Sequence, residues 1–171
     1  MVAKKEVILT TEGFKELQKQ LDFLTKVRRK EVADRIKQSI EFGDLSENSE
    51  YDDAKNEQAF VEGKILQLKE MLTNAQVIDN RKVHTDKVDV GSLVTLRDMS
   101  TKRLSEYHLV GFAEADPENH RISNESPVGR AILGRKSGEI VEVEAPQGIV
   151  RYRIVKISRN SHNKPKKKTT K

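Results

Sequence analysis

The sequence has 171 residues, of which 35% are charged and 5% aromatic, a net charge of +5 and no cysteine. Without cysteine there is no disulfide framework, thiolate metal site or cysteine nucleophile, and no apolar run approaches the ~20 residues needed to cross a bilayer. Few large core-fillers beside so much solvated surface suit long exposed helix better than one large globule.

Met1-Val2-Ala3-Lys4-Lys5-Glu6 lacks the apolar stretch of a signal peptide, so a soluble, cytoplasmic chain is expected. Thr10 or Thr11 can then cap a helix with Glu12 in its first turn and apolar residues at Phe14, Leu17, Leu21 and Leu24. That heptad seam drifts to Val27, Val32, Ile36 and Ile40, a change of spacing that predicts a local change in supercoil rather than a helix end. Gly43 breaks the pattern. A second seam runs through Tyr51, Ala54, Gln58, Val61, Ile65, Leu68, Leu72 and Ala75. Two seams joined by a short turn predict an antiparallel hairpin. At ~1.5 Å per residue a first helix of ~30 residues extends on the order of 45 Å, which would carry the turn well away from the rest of the protein.

Beyond Val77-Ile78-Asp79 the pattern becomes strand-like. Val88–Arg97, Tyr107–Val110, Glu139–Val143 and Ile149–Ile157 read as strands, the last two joined by Ala145-Pro146-Gln147-Gly148. Ser126-Pro127 can open a short helix that Gly134 closes. The expected organisation is therefore α+β: a helical hairpin over 1–79, a linker over 80–87, a small mixed domain over 88–158 and a basic tail over 159–171. The tail holds Arg159, Lys164, Lys166, Lys167, Lys168 and Lys171 with no acid, leaving −1 on the remainder, +5 less +6. Such a run beside Pro165 is expected to be disordered, and it serves either solubility or weak, salt-sensitive contact with nucleic acid. His84, His108, His120 and His162 have no ligand spacing, and no Gly-rich phosphate loop follows a strand.

The chemistry concentrates at the hairpin turn, where Glu41 to Asp53 carries six acids and no base. A Ca²⁺ loop fails, because its sixth position is Ser49 rather than Gly and its twelfth is Lys55 rather than Glu. Asp44 and Glu47 can form a capping box. Being three residues apart on one helical face, they can equally address one hard cation or one water. Two carboxylates cannot fill the octahedral shell of Mg²⁺, so such a tip needs a partner that supplies further oxygens.

Gly43-Asp44-Leu45-Ser46-Glu47-Asn48-Ser49-Glu50-Tyr51, with Ala54-Lys55 and Glu57-Gln58, resembles the tip motif of the GreA-type bacterial transcript cleavage factors. The resemblance extends to Val77-Ile78-Asp79, to Val110-Gly111 with Glu114-Ala115-Asp116, and to Ser126-Pro127-Val128-Gly129-Arg130-Ala131-Ile132-Leu133-Gly134. It implies a coiled coil inserted through the secondary channel of bacterial RNA polymerase and an FKBP-like C-terminal domain docking at the channel rim, with Ser126 and Pro127 as docking candidates. It implies that Asp44 and Glu47 help hold a second Mg²⁺ at the polymerase's own active site, the isolated chain binding no cofactor tightly and being no enzyme itself. Tyr51, Asn48 and Glu50 are implied to support the tip, and Lys55 to contact the nascent RNA 3′ segment. Ile40 departs from relatives that carry a basic residue there. The expected state is a monomer with no membrane partner. Two alternatives remain at this point: a channel-plugging inhibitor without cleavage activity, and a coiled-coil scaffold or chaperone.

Overall fold

A computed structural model of the chain describes residues 7–41, 49–79, 83–146 and 148–159. Two compact units emerge, one of Met1–Val7 with Glu12–Ala75, the other of Ile8–Thr11 with Gln76–Lys171. A boundary after Asp79 would have put Ile8–Thr11 and Gln76–Ile78 with the hairpin; they group with the sheet domain instead.

The first unit is helical. Thr11 to Glu41 form one continuous run: α1 (Thr11–Phe23), a π-helical turn (Leu24–Arg28) and α2 (Arg29–Glu41). The π turn is the physical cause of the drifting seam. Its wider winding takes in one extra residue, so the buried side passes Val27 by and resumes at Val32. Val27 and Ile40, expected on the seam, are accordingly 39% and 49% exposed, and Ser39 is buried where Ile40 was expected. Thr25 donates its hydroxyl to the Leu21 carbonyl at 2.7 Å within this stretch. On α3 (Ser49–Thr73) the seam falls as expected, with Ala54, Val61, Ile65 and Leu68 buried. Val32, Val61 and Ile65 form the hairpin core, flanked by Leu21, Leu24 and Ile36. Leu68 is only 7% exposed, so Leu68→Ala is expected to cost ~2–5 kcal/mol. Urea melts that show a loss below about 0.5 kcal/mol would contradict that burial.

The second unit is built on two sheets. β1 (Val7–Thr10) pairs with β2 (Ala75–Ile78), and a five-stranded sheet has the order β5-β4-β3-β7-β6. Its strands are β3 (Ser92–Asp98), β4 (Leu104–Val110), β5 (Arg121–Ser123), β6 (Ile140–Ala145) and β7 (Gly148–Arg159). β5 runs parallel to β4; the other pairings are antiparallel. Ser92, Val94 and Leu96 point inward with period two, and Leu109, Val141, Ile154 and Ile157 join Val94 and Leu96 in the core. Ile154 and Ile157 are three apart and would face opposite sides of a regular strand. A register shift, Thr95 opposite Lys156 but Leu96 opposite Ile154, inserts one residue and keeps both inside.

α4 (Pro127–Ile132) covers this core with Ile132. Ser126 caps it by accepting from the Gly129 amide at 3.0 Å, and Pro127 takes the first position, where its missing N–H costs nothing. Gly134, at φ +75°, follows the helix as expected. Gly129 has a packing reason to be glycine: a Cβ there would lie 2.0 Å from the Ser123 carbonyl oxygen.

The predicted strand over Val88–Arg97 begins only at Ser92, because Gly91 at φ +93° and the Asp89–Ser92 hydrogen bonds make Val88–Gly91 a turn. Strands β1, β2 and β5 were not anticipated. β1 is fastened by Glu114, whose carboxylate accepts from the Thr10 amide, from the Thr10 hydroxyl at 2.6 Å and from Arg121 Nη2 at 3.0 Å. Gly111 allows β1 to approach, since a Cβ at 111 would stand 1.7 Å from the Ile8 carbonyl oxygen.

Candidate functional site

The hairpin helices are tied by arginine–glutamate pairs whose numbering rises on α2 as it falls on α3, from Arg29–Glu62 to Arg35–Glu50, the signature of antiparallel packing. Arg29 grips Glu62 with both ends of its fork, Nε to Oε1 at 2.7 Å and Nη2 to Oε2 at 2.6 Å. That pairing holds the Glu62 carboxyl below the usual carboxylate range. Arg28 joins Glu31 at 2.7 Å and also pairs with Glu57. Arg35 divides its fork, Nη1 to Glu57 at 3.0 Å and Nη2 to Glu50 at 2.9 Å. Pairs this exposed add little to stability, so the apolar seam holds the helices together and the ion pairs set their alignment.

The predicted site residues divide into those the structure describes and those it does not. Asp44, Glu47 and Asn48 lie outside the described residues, between Glu41 at the end of α2 and Ser49 at the start of α3. Glu50 sits in the first turn of α3, where it is paired with Arg35. Tyr51 is half-buried, and Asp52 and Asp53 are exposed. Acids in this first turn suit the positive end of the helix dipole. Lys55 is exposed and donates to Gln58 Oε1 at 2.7 Å, an i,i+3 contact that keeps its ammonium on the helix surface. Ser126 and Pro127 form the start of α4, where the Ser126 hydroxyl also donates to the Ser123 carbonyl at 2.7 Å.

No group of three or more His, Asp or Glu among the described residues could hold a metal ion. His120, by contrast, stands edge-on to Tyr107 with ring centres 5.8 Å apart. Sequence reasoning missed Arg35. Its spacing from Val32 and Ile36 placed it beside the seam, but only the antiparallel register brings Glu50 and Glu57 to it.

Each unit has a counterpart among known proteins. Residues 7–77 match the family model described as "Transcription elongation factor, N-terminal", and residues 83–159 match "Transcription elongation factor, GreA/GreB, C-term". The chain belongs to the GreA/GreB family of transcription elongation factors. Transcription elongation factor GreA of Acetivibrio thermocellus is 54% identical over 157 residues, 92% of this chain and 99% of that protein. The GreA of Alkaliphilus oremlandii is 54% identical over 159 residues, 93% of this chain and all of that protein. A crystal structure of GreA factor homolog 1 of Thermus thermophilus is 29% identical, with 90% of this chain and 99% of that one covered and a TM-score of 0.43.

Proposed function

We propose that this chain is a transcript cleavage factor: it inserts its hairpin into the secondary channel of bacterial RNA polymerase and stimulates the polymerase's own endonucleolytic cleavage of backtracked RNA. The observation that carries the reading is that the acid-rich stretch holding Asp44 and Glu47 connects two antiparallel helices aligned by arginine–glutamate pairs. A hairpin of this kind is narrow and presents its turn at one end, which suits delivery of charge into a confined site.

Asp44 and Glu47 supply hard oxygen donors of the type Mg²⁺ prefers, and the remaining oxygens would come from the polymerase and the RNA. When bound, that ion would supply charge neutralisation and an activated water for phosphodiester hydrolysis. The chain's own carboxylates would orient and charge the site, and Lys55, exposed on α3, would contact the RNA 3′ segment. The C-terminal domain would dock at the channel rim through the α4 start, Ser126 and Pro127. On this reading the protein works in the cytoplasm and as a monomer. The basic tail can add weak contact with nucleic acid.

The test is RNA cleavage in a defined backtracked elongation complex with and without the protein. An inhibitor would slow the complex without releasing RNA fragments, and a scaffold would do neither. The purified protein by itself is expected to leave free RNA intact, because its tip offers too few ligands for a two-metal site. Mg²⁺-dependent cleavage without polymerase, in a nuclease-free preparation, would overturn the partner-supplied mechanism.

A further inference from the structure

We propose that Arg35 is a positioning residue, the clamp that fixes the offset between the two helix ends bracketing the acidic turn; its consequence for cleavage rests on the function proposed above. Among the described residues, apolar grip weakens toward that end of the hairpin. The core of Val32, Val61 and Ile65 lies behind it, Ile36 is the last seam aliphatic on α2, and Ile40 is 49% exposed. Among the described residues, the buried ones nearest the turn are Ser39 and Ala54, whose small side chains bury little apolar area, with Tyr51 only half-buried beyond Ala54.

Arg35 stands where this grip fades. Its fork reaches Glu50 at 2.9 Å and Glu57 at 3.0 Å, residues seven apart on one side of α3. Holding α3 at two points about two turns apart resists sliding of α3 along α2, which a single-point contact does not. Glu57 is also held by Arg28, itself paired with Glu31, so the first turn of α3 is linked to a chain of charges running back along the hairpin. Lysine, a point charge without a planar fork, cannot reproduce this hold on both carboxylates. Glu50 stands in the first turn of α3, so its pairing with Arg35 ties the very start of that helix to α2.

Because these pairs are exposed and contribute little to stability, Arg35→Ala should leave the fold intact. The absence of cysteine allows unique nitroxide labels at Lys37→Cys and Asp53→Cys in the full chain. Arg35→Ala is expected to broaden the label-to-label distance distribution, with Arg35→Lys intermediate. Cleavage at saturating factor should fall about fivefold while half-saturation with polymerase stays unchanged, since small misplacements of reacting groups are costly. The Arg35→Ala, Glu50→Gln pair should lose no more than Arg35→Ala alone. An unchanged distance distribution, or a cleavage loss restored by adding more protein, would overturn the clamp. Broadening alongside no cleavage even by the unmodified protein would sink the function reading and leave the hold of Arg35 on the helix ends standing.

Discussion

Asp44→Asn and Glu47→Gln should each lower stimulated cleavage of backtracked RNA at least ~10-fold, a barrier increase of ~1.4 kcal/mol or more, with helicity and polymerase binding preserved. The two substitutions separate chemistry from capping. Asn remains a good N-cap and Gln can still close a capping box, so the helix loses nothing that it needs. What disappears is the negative charge that a second Mg²⁺ requires. Circular dichroism checks the helix, competition with the unmodified protein checks binding, and fragment release from the backtracked complex checks the chemistry. Near-normal cleavage by both variants would leave the pair as structural caps and favour the scaffold reading.

The largest stability loss is expected at Glu114→Ala. The Glu114 residue is 7% exposed, and its carboxylate is the common acceptor for the Thr10 amide, the Thr10 hydroxyl and Arg121. Its removal leaves a partly buried guanidinium without its counter-ion and strips β1 of its fastening. Breaking a buried charged pair from one side costs ~3–5 kcal/mol, several times what an exposed pair contributes. Glu114→Gln should cost less, because an amide oxygen still accepts one of these bonds while the charge is gone. Chemical denaturation monitored by the sheet signal measures both. A loss below about 1 kcal/mol for Glu114→Ala would mean that the Thr10 and Arg121 groups find water instead.

Gly111 and Glu114 also show why part of the fold was not legible beforehand. The motif Val110-Gly111 with Glu114-Ala115-Asp116 was visible in the sequence, yet nothing local says that Gly111 must admit the Ile8 carbonyl or that Glu114 must hold Thr10, a partner 104 positions away. β1, β2 and β5, of four, four and three residues, are too short for an alternation signal and exist because another strand is there to pair with. The same holds for Arg35. Its two glutamates are readable as charges but not as partners until the helices pack.

The sequence by itself determined the hairpin and the short capped helix. Periodicity at Leu17, Ala54, Val61, Ile65 and Leu68, and the Ser126-Pro127 start of α4, are local consequences of helical geometry and backbone chemistry. It also singles out Asp44 and Glu47 as candidates through their acidic neighbours; both lie outside the described residues. Only the tertiary structure decided that Val27 and Ile40 face solvent, because a π turn rotates the seam by one residue without leaving a mark in composition. It likewise decided which unit owns Ile8–Thr11, because a strand's place is fixed by hydrogen bonds to remote residues rather than by its own four side chains.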